Sequence, residues 1–454
     1  MKRIITIVLV CLSLQMSAQC WQSISAGRDH SLAIKSDGTL WAWGSNALGQ
    51  LGDNTTASKN APTQIGTATN WIKINAGFAT SLAIKSDGTL WAWGNNGYGQ
   101  LGNGTNTATL VPTQIGTENN WQSSSIGTAF CIAIKNNGTL WAWGHNNNGQ
   151  LGDNTIIDKN TPIQVGTATN WQSISAGGEY VLALKTDNTL WSWGYNTGQL
   201  GDGTNVEKHI PTQVGTDTNW QSIDAGYFHA AGIKTNGTLW AWGANANGQL
   251  GDGTVVRKYA PTQVGTATNW LSVSTGYSFT YATQTDYTLW SWGINDNGEL
   301  SNGTSGTTNT ITPTRVGLTS DTFSISAGYY HILEKNSDGF LRACGQNTYG
   351  QIGDGTNNQN NTLTTISCPV MATENFGLEN VIKVYPNPVK DLLNLSFDKE
   401  ISTVSILNLL GQEVLTKVIN ANEGSIDTST LSSGTYLVKV TSTEGIKTLK
   451  IIKE

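Results

Sequence analysis

Residues 26–53 read AGRDHSLAIKSDGTLWAWGSNALGQLGD, and recognisable copies of this stretch recur along most of the chain. Successive copies are 49 to 52 residues apart. A nearly fixed period of this length is the signature of a repeat architecture, in which each copy is one structural unit. The first residue of the W-x-W-G core marks each copy: Trp41, Trp91, Trp141, Trp191, Trp240, Trp290 and, in a degenerate seventh copy, Arg342.

Each copy contains four short runs typical of β-strands, separated by turns rich in Gly, Asn and Asp. In the first copy the runs cover residues 22–26, 31–35, 39–44 and 62–66. Four strands in each of seven copies predict an all-β fold, a seven-bladed β-propeller of four-stranded blades over residues 19–370. An open solenoid is the alternative, but it requires polar capping repeats. Because the first copy is as apolar as the middle ones, the pattern favours a closed ring.

The 18 tryptophans occupy three positions per copy in six copies, as in Trp21, Trp41 and Trp43. Residues two apart on a strand share a face, so Trp41 and Trp43 point the same way. This arrangement predicts packing between adjacent blades, and a ladder of platforms that stack sugars is the alternative interpretation. The seventh copy departs from the pattern, with Phe323, Arg342 and Cys344 at the tryptophan positions.

Two cysteines flank the repeats: Cys20 precedes the first strand and Cys368 follows the last strand-like run. In an exported protein these thiols can be joined, so we predict a Cys20–Cys368 disulfide across the closure of the ring. Cys131 and Cys344 belong to the third and seventh copies, too far apart to pair. We expect both to be small buried apolar residues.

The N-terminus has the pattern of a secretory signal peptide. Lys2 and Arg3 precede an apolar run at 4–14 and small residues at 17–18, which predicts a signal peptide over residues 1–18. The run is too short for a membrane span, and no later segment is long enough. A lipid-modified Cys20 is the alternative, although Gln19 stands where such signals have a small residue.

The repeat resembles the regulator of chromosome condensation repeat family over about residues 21–367, through the run quoted from residues 26–53. The resemblance implies a seven-bladed propeller but no single function. Members of the family include nuclear exchange factors for a small GTPase and a secreted inhibitor of β-lactamases. The nuclear activity requires a basic chromatin-binding surface. With a net charge of −6 and no basic stripe, this chain is not expected to bind nucleic acid.

After Cys368 the repeats stop, and residues 371–379 have the composition of a linker. Residues 380–454 alternate strand-like runs with Gly and Pro turns, which predicts a small antiparallel β-sandwich. This tail resembles the C-terminal sorting domain of type IX secretion cargo, through Y-P-N-P at 385–388, G-Q at 411–412 and G-T-Y at 434–436. The resemblance implies contact with the type IX secretion machinery and an extracellular or cell-surface location. An ordinary adhesion-type sandwich is the alternative.

No catalytic constellation is recognisable in the sequence. Neither a G-x-S-x-G elbow nor an H-E-x-x-H helix occurs, so we expect no enzyme, no cofactor and no metal site. His30, His229 and His331 share one repeat position, where a structural hydrogen bond is expected. The recurring acids after G-Q-L-G are expected to cap turns: Asp53, Asp153, Asp202, Asp252 and Asp354.

The two residues after each A-G pair differ between otherwise similar copies. Propeller geometry would place all seven pairs at one mouth of the ring, and variable loops on a rigid scaffold commonly carry binding sites. Unconstrained turn residues are the alternative. The predicted binding residues are Arg28, Asp29, Phe78, Glu179, Tyr180, Tyr227, Phe228, His229, Tyr277, Phe279, Tyr329 and Tyr330.

These patterns favour an exported, monomeric, non-enzymatic scaffold that binds a protein or polysaccharide ligand through this mouth, because Tyr-rich patches suit recognition. A secreted inhibitor of an enzyme is the second hypothesis, by analogy with the β-lactamase-binding relatives. An enzyme with its residues around the axis is the third.

Overall fold

The computed structural model describes residues 20–306, 309–369, 382–408, 412–442 and 445–454. The signal peptide predicted for 1–18, the linker predicted for 371–379, and Gly411 of the tail lie outside the described residues. The chain divides into two compact units, Met1–Cys368 and Pro369–Glu454. Every regular element among the described residues is a β-strand.

Each repeat forms one four-stranded antiparallel sheet whose strands follow the order of the chain. Blade 1 contains β1 (Trp21–Ala26), β2 (His30–Lys35), β3 (Leu40–Gly44) and β4 (Lys59–Gln64), and blade 2 contains β5 (Trp71–Ala76), β6 (Thr80–Lys85), β7 (Leu90–Gly94) and β8 (Thr109–Gln114). Blade 3 contains β9 (Trp121–Ile126), β10 (Phe130–Lys135), β11 (Leu140–Gly144) and β12 (Lys159–Gln164), and blade 4 contains β13 (Trp171–Ala176), β14 (Tyr180–Lys185), β15 (Leu190–Gly194) and β16 (Lys208–Gln213). Blade 5 contains β17 (Trp220–Ala225), β18 (His229–Lys234), β19 (Leu239–Gly243) and β20 (Lys258–Gln263). Blade 6 contains β21 (Trp270–Thr275), β22 (Phe279–Gln284), β23 (Leu289–Gly293) and β24 (Thr310–Val316). Blade 7 contains β25 (Thr322–Ala327), β26 (His331–Asn336), β27 (Leu341–Gly345) and β28 (Asn360–Ile366).

The seven sheets form a closed ring. The first strand of each blade contacts the first strands of both neighbours, and the series closes because β1 contacts β25. The first strands therefore surround the axis, and the fourth strands form the outer edges. The predicted seven-bladed propeller is confirmed, and the open solenoid is excluded.

The fourth strand of blade 1 begins at Lys59, three residues earlier than expected, because a bulge in β4 between Thr63 and Lys59 allows Lys59 to pair with Gly44. This outer strand contains Pro62, and β8, β12, β16, β20 and β24 contain a proline at the equivalent position. A proline cannot donate a backbone hydrogen bond, so it protects an exposed sheet edge from pairing with another chain.

The second tryptophan of the W-x-W-G core joins adjacent blades, as predicted. Trp93 is fully buried, and its indole N–H donates to the backbone O of Gln50 in the preceding blade at 2.9 Å. Gly52, with φ +80, faces this ring, and a Cβ there would lie 2.8 Å from Trp93 Nε1. Glycine is therefore required where the indole enters. Equivalent bonds are made by Trp43, Trp143, Trp193, Trp242 and Trp292.

The seventh blade requires a correction. Thr322, not Phe323, occupies the position of Trp21, because Thr322 pairs with Asn336 as Trp21 pairs with Lys35. Successive side chains on a strand point to opposite faces, so Phe323 faces solvent and is 57% exposed.

Arg342 does stand at a tryptophan position, as predicted, and its guanidinium is held by carboxylates. Its Nε lies 2.5 Å and its Nη2 2.8 Å from the two carboxylate oxygens of Glu334, and Nη2 also lies 3.0 Å from Asp321 Oδ1. Glu334 is buried, so the bidentate pair compensates a charge that would otherwise be costly inside the protein.

The cysteine predictions are confirmed. Cys20 and Cys368 form a disulfide with a Cα–Cα distance of 6.1 Å, and it joins residues 348 positions apart. Cys131 and Cys344 are buried and unpaired. Because each blade is built from one repeat and no strand is exchanged at the closure, the disulfide is the covalent link between the two ends of the ring.

The tail contains β29 (Lys383–Tyr385), β30 (Leu392–Leu407), β31 (Glu413–Asp427), β32 (Gly434–Ser442) and β33 (Gly445–Lys453). The long strand β30 has a bulge between Ser396 and Ile401. Before the bulge it pairs with β29, after it with β32, and on both sides with β31. Apolar residues from all five strands form one core. Asn387 links its Y-P-N-P run to β33 by accepting from the N–H of Ile452 at 2.8 Å.

Candidate ligand-binding mouth

The turns between the first and second strands of each blade carry the variable residues. Backbone hydrogen bonds join adjacent turns, as where the N–H of Arg28 donates to the O of Gly77 at 3.0 Å. Just before the turn, Ser25 Oγ accepts from the N–H of Ala76 in the next blade at 2.9 Å. Serines make the same bond at four other junctions. These bonds fix the turns relative to one another around the axis.

An axial cavity of about 150 Å³ lies inside this ring of turns. Its wall consists largely of small polar residues and glycines, and Asp224 is the one carboxylate among the residues that line it. Asp224 Oδ2 accepts from the N–H of Thr275 at 2.6 Å and from its hydroxyl at 2.8 Å. Burial raises the pKa of Asp224, and these hydrogen bonds oppose the rise. Asp224 thus ties neighbouring blades together.

Aromatic rings from several blades meet at the mouth of this cavity. The ring centroid of Tyr227 lies 4.8 Å from that of Tyr277 and 5.3 Å from that of Tyr329. Tyr277 is 5.3 Å from Tyr330, and Phe78 is 5.7 Å from Tyr329. All five side chains are half-buried, so each ring packs on its neighbours and still presents surface to solvent.

Tyr329 reaches across the ring from blade 7 to blade 3. Its hydroxyl lies 3.3 Å from Thr128 Oγ1, and burial raises the pKa of the phenol above its usual range. Burial also raises the pKa of Tyr227, and the negative charge of Glu179 contributes to the rise. Both phenols therefore stay protonated over the physiological range and remain hydrogen-bond donors.

Charged groups border the aromatic cluster. The guanidinium of Arg28 lies 4.0 Å from the ring centroid of Phe78, and its Nε is 3.1 Å from Asp29 Oδ2. Burial raises the pKa of Asp29, and the charge of Arg28 opposes the rise. Asn148 donates a hydrogen bond to the carboxylate of Glu179. The mouth therefore combines apolar rings, phenolic hydroxyls and charges of both signs.

Nine of the twelve predicted binding residues come together here: Arg28, Asp29, Phe78, Glu179, Tyr227, Phe228, Tyr277, Tyr329 and Tyr330. Tyr180, His229 and Phe279 were wrongly placed at the mouth, because each is 0% exposed. They begin second strands, whose side chains enter the blade core. The Tyr180 hydroxyl donates to the backbone O of His229 at 2.6 Å.

Three residues at this mouth were not among the predicted binding residues. Thr128 belongs to the variable pair of blade 3. Asn148 and Tyr195 belong to loops between third and fourth strands, and the Tyr195 ring lies 6.5 Å from Phe228. Because strands alternate in direction, these loops lie at the same end of the blade as the A-G turns. That alternation is the signal that would have identified them.

The structural roles predicted for the histidines and aspartates are confirmed. Nε2 of His30 lies 2.9 Å from Ser81 Oγ in the next blade, and His229 and His331 make equivalent contacts. Asp53 Oδ1 accepts from the N–H of Thr55 at 3.0 Å, and the other four aspartates cap their turns likewise. Among the described residues, no three His, Cys, Asp or Glu side chains come together as a metal site.

Known proteins share this architecture. Models of the regulator of chromosome condensation (RCC1) repeat match residues 21–50, 37–84, 71–100 and 87–134, and the RCC1-like domain matches 111–385, more than half of the chain. The chain belongs to the RCC1-like domain family. No curated protein is similar enough in sequence to match it.

Solved structures agree with this RCC1-like fold. Prp20p from Saccharomyces cerevisiae is 21% identical to this chain, with a TM-score of 0.65. The match covers 80% of this chain and 90% of Prp20p. Yeast RCC1 (Prp20) bound to Kap60 is 19% identical, with a TM-score of 0.67 and coverages of 80% and 87%. Human WBSCR16 is 19% identical, with a TM-score of 0.64 and coverages of 70% and 87%. At these identities the likeness shows the fold alone.

The tail of this RCC1-like protein has its own match. The secretion system C-terminal sorting domain covers residues 383–454, which points to export by type IX secretion, to the cell surface or extracellular space. The described residues contain no helix long and apolar enough to cross a membrane.

Proposed function

We propose that this RCC1-like propeller is an exported, monomeric, non-enzymatic binding protein that recognises a protein or glycan ligand at the aromatic mouth. An N-terminal signal peptide over residues 1–18 would begin its export, and the sorting tail would engage the type IX secretion machinery.

The observation that carries the proposal is the cluster of Tyr227, Phe228, Tyr277, Tyr329 and Tyr330 on a rigid ring of turns. Tyrosines offer large amphipathic surfaces at a low entropic cost of ordering, and partly exposed aromatic clusters are typical of binding hot spots. The yeast protein of this fold is bound to Kap60 in one structure and has binding properties toward Gsp1p and histones, so the fold serves protein recognition elsewhere.

The test replaces Tyr227, Phe228, Tyr277 and Tyr330 together with Ala. Tyr329 is left in place, because its hydroxyl contacts Thr128 across the ring. Ligands are first found with the wild-type protein, on a glycan array and by cross-linking in envelope extracts. Affinity for the ligand found is then measured for both proteins by calorimetry.

We expect the quadruple variant to lose at least about tenfold in affinity, since hot-spot aromatics each contribute 2 kcal/mol or more. Its melting temperature should fall by only a few degrees. Tyr287→Ala with Phe340→Ala is the matched control, because these rings are 45% and 44% exposed in turns at the opposite end of the blades. Undiminished binding by the quadruple variant would show that the mouth is not the site.

A further inference from the structure

A groove follows the outer side of each of the first two blade junctions. Between blades 1 and 2 it has a volume of about 620 Å³ and is lined by Trp71, Trp91, Ile65, Gln64, Ala68 and Pro112, among others. Between blades 2 and 3 the groove is about 430 Å³, and its lining residues stand 50 positions later in the chain. The two grooves are therefore equivalent sites on successive repeats.

A lysine ammonium lies against the tryptophans of each groove. Lys85 Nζ is 4.6 Å from the ring of Trp71 and 3.9 Å from that of Trp91. In the next repeat, Lys135 Nζ is 4.7 Å from Trp121 and 3.4 Å from Trp141. The tryptophan faces attract each cation and hold it against the rings that line the groove.

The two grooves differ at several positions, one of which lies next to the lysine. Asp53 lines the first groove where Asn103 lines the second, and its Oδ2 is paired with Lys59 Nζ at 3.6 Å. Glu118 lines the groove between blades 2 and 3, and its carboxylate lies 2.5 Å from Lys135 Nζ. Ala68 takes its place between blades 1 and 2, and no carboxylate of the described residues lies within 4.0 Å of Lys85 Nζ. The nearby Asp87 accepts from the hydroxyl of Thr89 at 2.7 Å, and Lys85 adds a smaller attraction at longer range.

The same alternation recurs further round the ring. Lys234 Nζ lies 2.7 Å from Asp217, which occupies the position of Glu118 at the junction between blades 4 and 5. Lys185 lies 3.6 Å from the ring of Trp191, and Ala168 stands where Glu118 would be. At Lys135 and Lys234 the carboxylate position beside the lysine is therefore filled by an acidic residue of the chain. At Lys85 and Lys185 the same position holds an alanine, and we call these positions open.

We propose that the open groove at Lys85, and the equivalent position at Lys185 on a later repeat, bind carboxylated sugars of the uronic acid class. The sugar carboxylate pairs with Lys85 or Lys185 as Glu118 pairs with Lys135, and the sugar ring lies in the groove beside the tryptophan. The chain's own glutamate shows that this cation–tryptophan arrangement accepts a carboxylate from the groove side.

The groove lining favours a sugar over an acidic peptide. A pyranose has an apolar C–H face, which matches Trp91, Ile65 and Pro112, and polar edges, which match the hydroxyl of Thr63 and the amide of Gln64. A volume of about 620 Å³ lies within the range of small-ligand sites. The grooves are distinct from the aromatic mouth, so this proposal does not depend on the proposed function.

The test titrates the full chain with oligogalacturonate, with neutral galactose oligomers and with an oligoglutamate peptide, by calorimetry. We expect oligogalacturonate to bind at two sites, and the neutral sugar and the peptide to bind at least tenfold more weakly. Equal binding of the neutral sugar would overturn the role of the lysines, and equal binding of the peptide would overturn the assignment to sugars.

Ala68→Glu with Ala168→Glu is the decisive variant, because it supplies the internal carboxylate that blades 3 and 5 already use, and it should fold normally. We expect it to abolish oligogalacturonate binding, and Lys85→Gln with Lys185→Gln to do the same. Glu118→Ala should add a third site. Binding that survives both double variants would overturn the proposal, whereas the quadruple mouth variant should bind oligogalacturonate unchanged.

Discussion

Six blade junctions are joined by an indole, whereas at the junction between blades 6 and 7 a phenol of blade 6 takes over the equivalent buried carbonyl. At the six, a buried tryptophan donates to a backbone carbonyl of the preceding blade, as Trp93 does to Gln50. At the seventh, Cys344 stands at the tryptophan position. The Tyr281 hydroxyl, from blade 6 itself, donates to the equivalent carbonyl of Glu299 at 2.8 Å.

The glycine that faces the indole has changed as well. Ser301 replaces it at the blade 6–7 junction with φ 56, and its hydroxyl accepts from the N–H of Leu363 at 2.8 Å. A smaller residue at 344 leaves space that Tyr281 and Ser301 fill. A junction therefore requires filled volume and a donor for one buried carbonyl, and more than one set of side chains meets those requirements.

Three of the indole junctions also carry a buried histidine, and the blade 6–7 junction has Phe279 at that position. The hydroxyl of Ser81 donates to the backbone O of Gln50 at 2.7 Å, so it accepts from His30 Nε2. The neutral ring therefore carries its proton on Nε2. Burial lowers the pKa of His30, His229 and His331 to about 3.

The largest expected effect is a loss of stability in mild acid. Below pH 6.5 the unfolded chain binds protons at these histidines and the folded chain does not, so their contribution is complete above pH 6.5 and decreases toward pH 3. The free energy of unfolding should fall by about 1.4 kcal/mol per pH unit for each histidine. Urea denaturation between pH 6 and pH 4 measures this slope.

His229→Phe copies the residue that blade 6 has at this position, and it should lower the slope by about 1.4 kcal/mol per pH unit. The hydroxyl of Thr280 keeps its own bond to the backbone O of Gln249 at 2.8 Å, so no new unpaired group is created. A slope equal to that of the wild type would mean that His229 is already protonated in the folded protein.

Truncating the side chain at the tryptophan position should affect stability differently at the two kinds of junction. Trp93→Ala removes a fully buried indole and should lower the free energy of unfolding by about 3–5 kcal/mol. Cys344→Ala removes one buried sulfur at the equivalent position and should cost about 1 kcal/mol. Both are measured by urea denaturation at pH 7. Similar losses for the two variants would contradict the view that Tyr281 has taken over the role of the indole.

Much of this fold follows from periodicity. The W-x-W-G spacing identifies the blades, and the positions of Cys20 and Cys368 identify the closure. The blade 6–7 junction could not be foreseen in the same way, because Tyr281, Ser301 and Cys344 are far apart in the chain. Only the folded ring brings their substitutions to one place.

The mouth was foreseen in part for a related reason. Variation after the A-G pair located Tyr227 and Tyr277, but the pattern did not show where a variable pair ends and a buried strand begins. Tyr180 and His229 fall just beyond that boundary and enter the core. Thr128 was placed at the mouth with its variable pair but was not selected as a binding residue, because its contact with Tyr329 crosses the axis, which no local pattern records.

The smallest net change in stability, and the sharpest test of the comparison, is expected when the blade 6–7 junction is completely rebuilt around an indole. Cys344→Trp alone should cost about 1–3 kcal/mol, because Tyr281 and Ser301 already occupy the space. Adding Tyr281→Leu and Ser301→Gly restores the residues of the indole junctions and should recover that loss, with the indole donating to Glu299. Tyr281→Leu with Ser301→Gly but without the tryptophan is the control, and it should be less stable than the triple variant because it leaves a cavity. Urea denaturation of the three variants measures these differences. If the triple variant were no more stable than Cys344→Trp, the junctions would have to differ in backbone geometry as well as in side-chain packing.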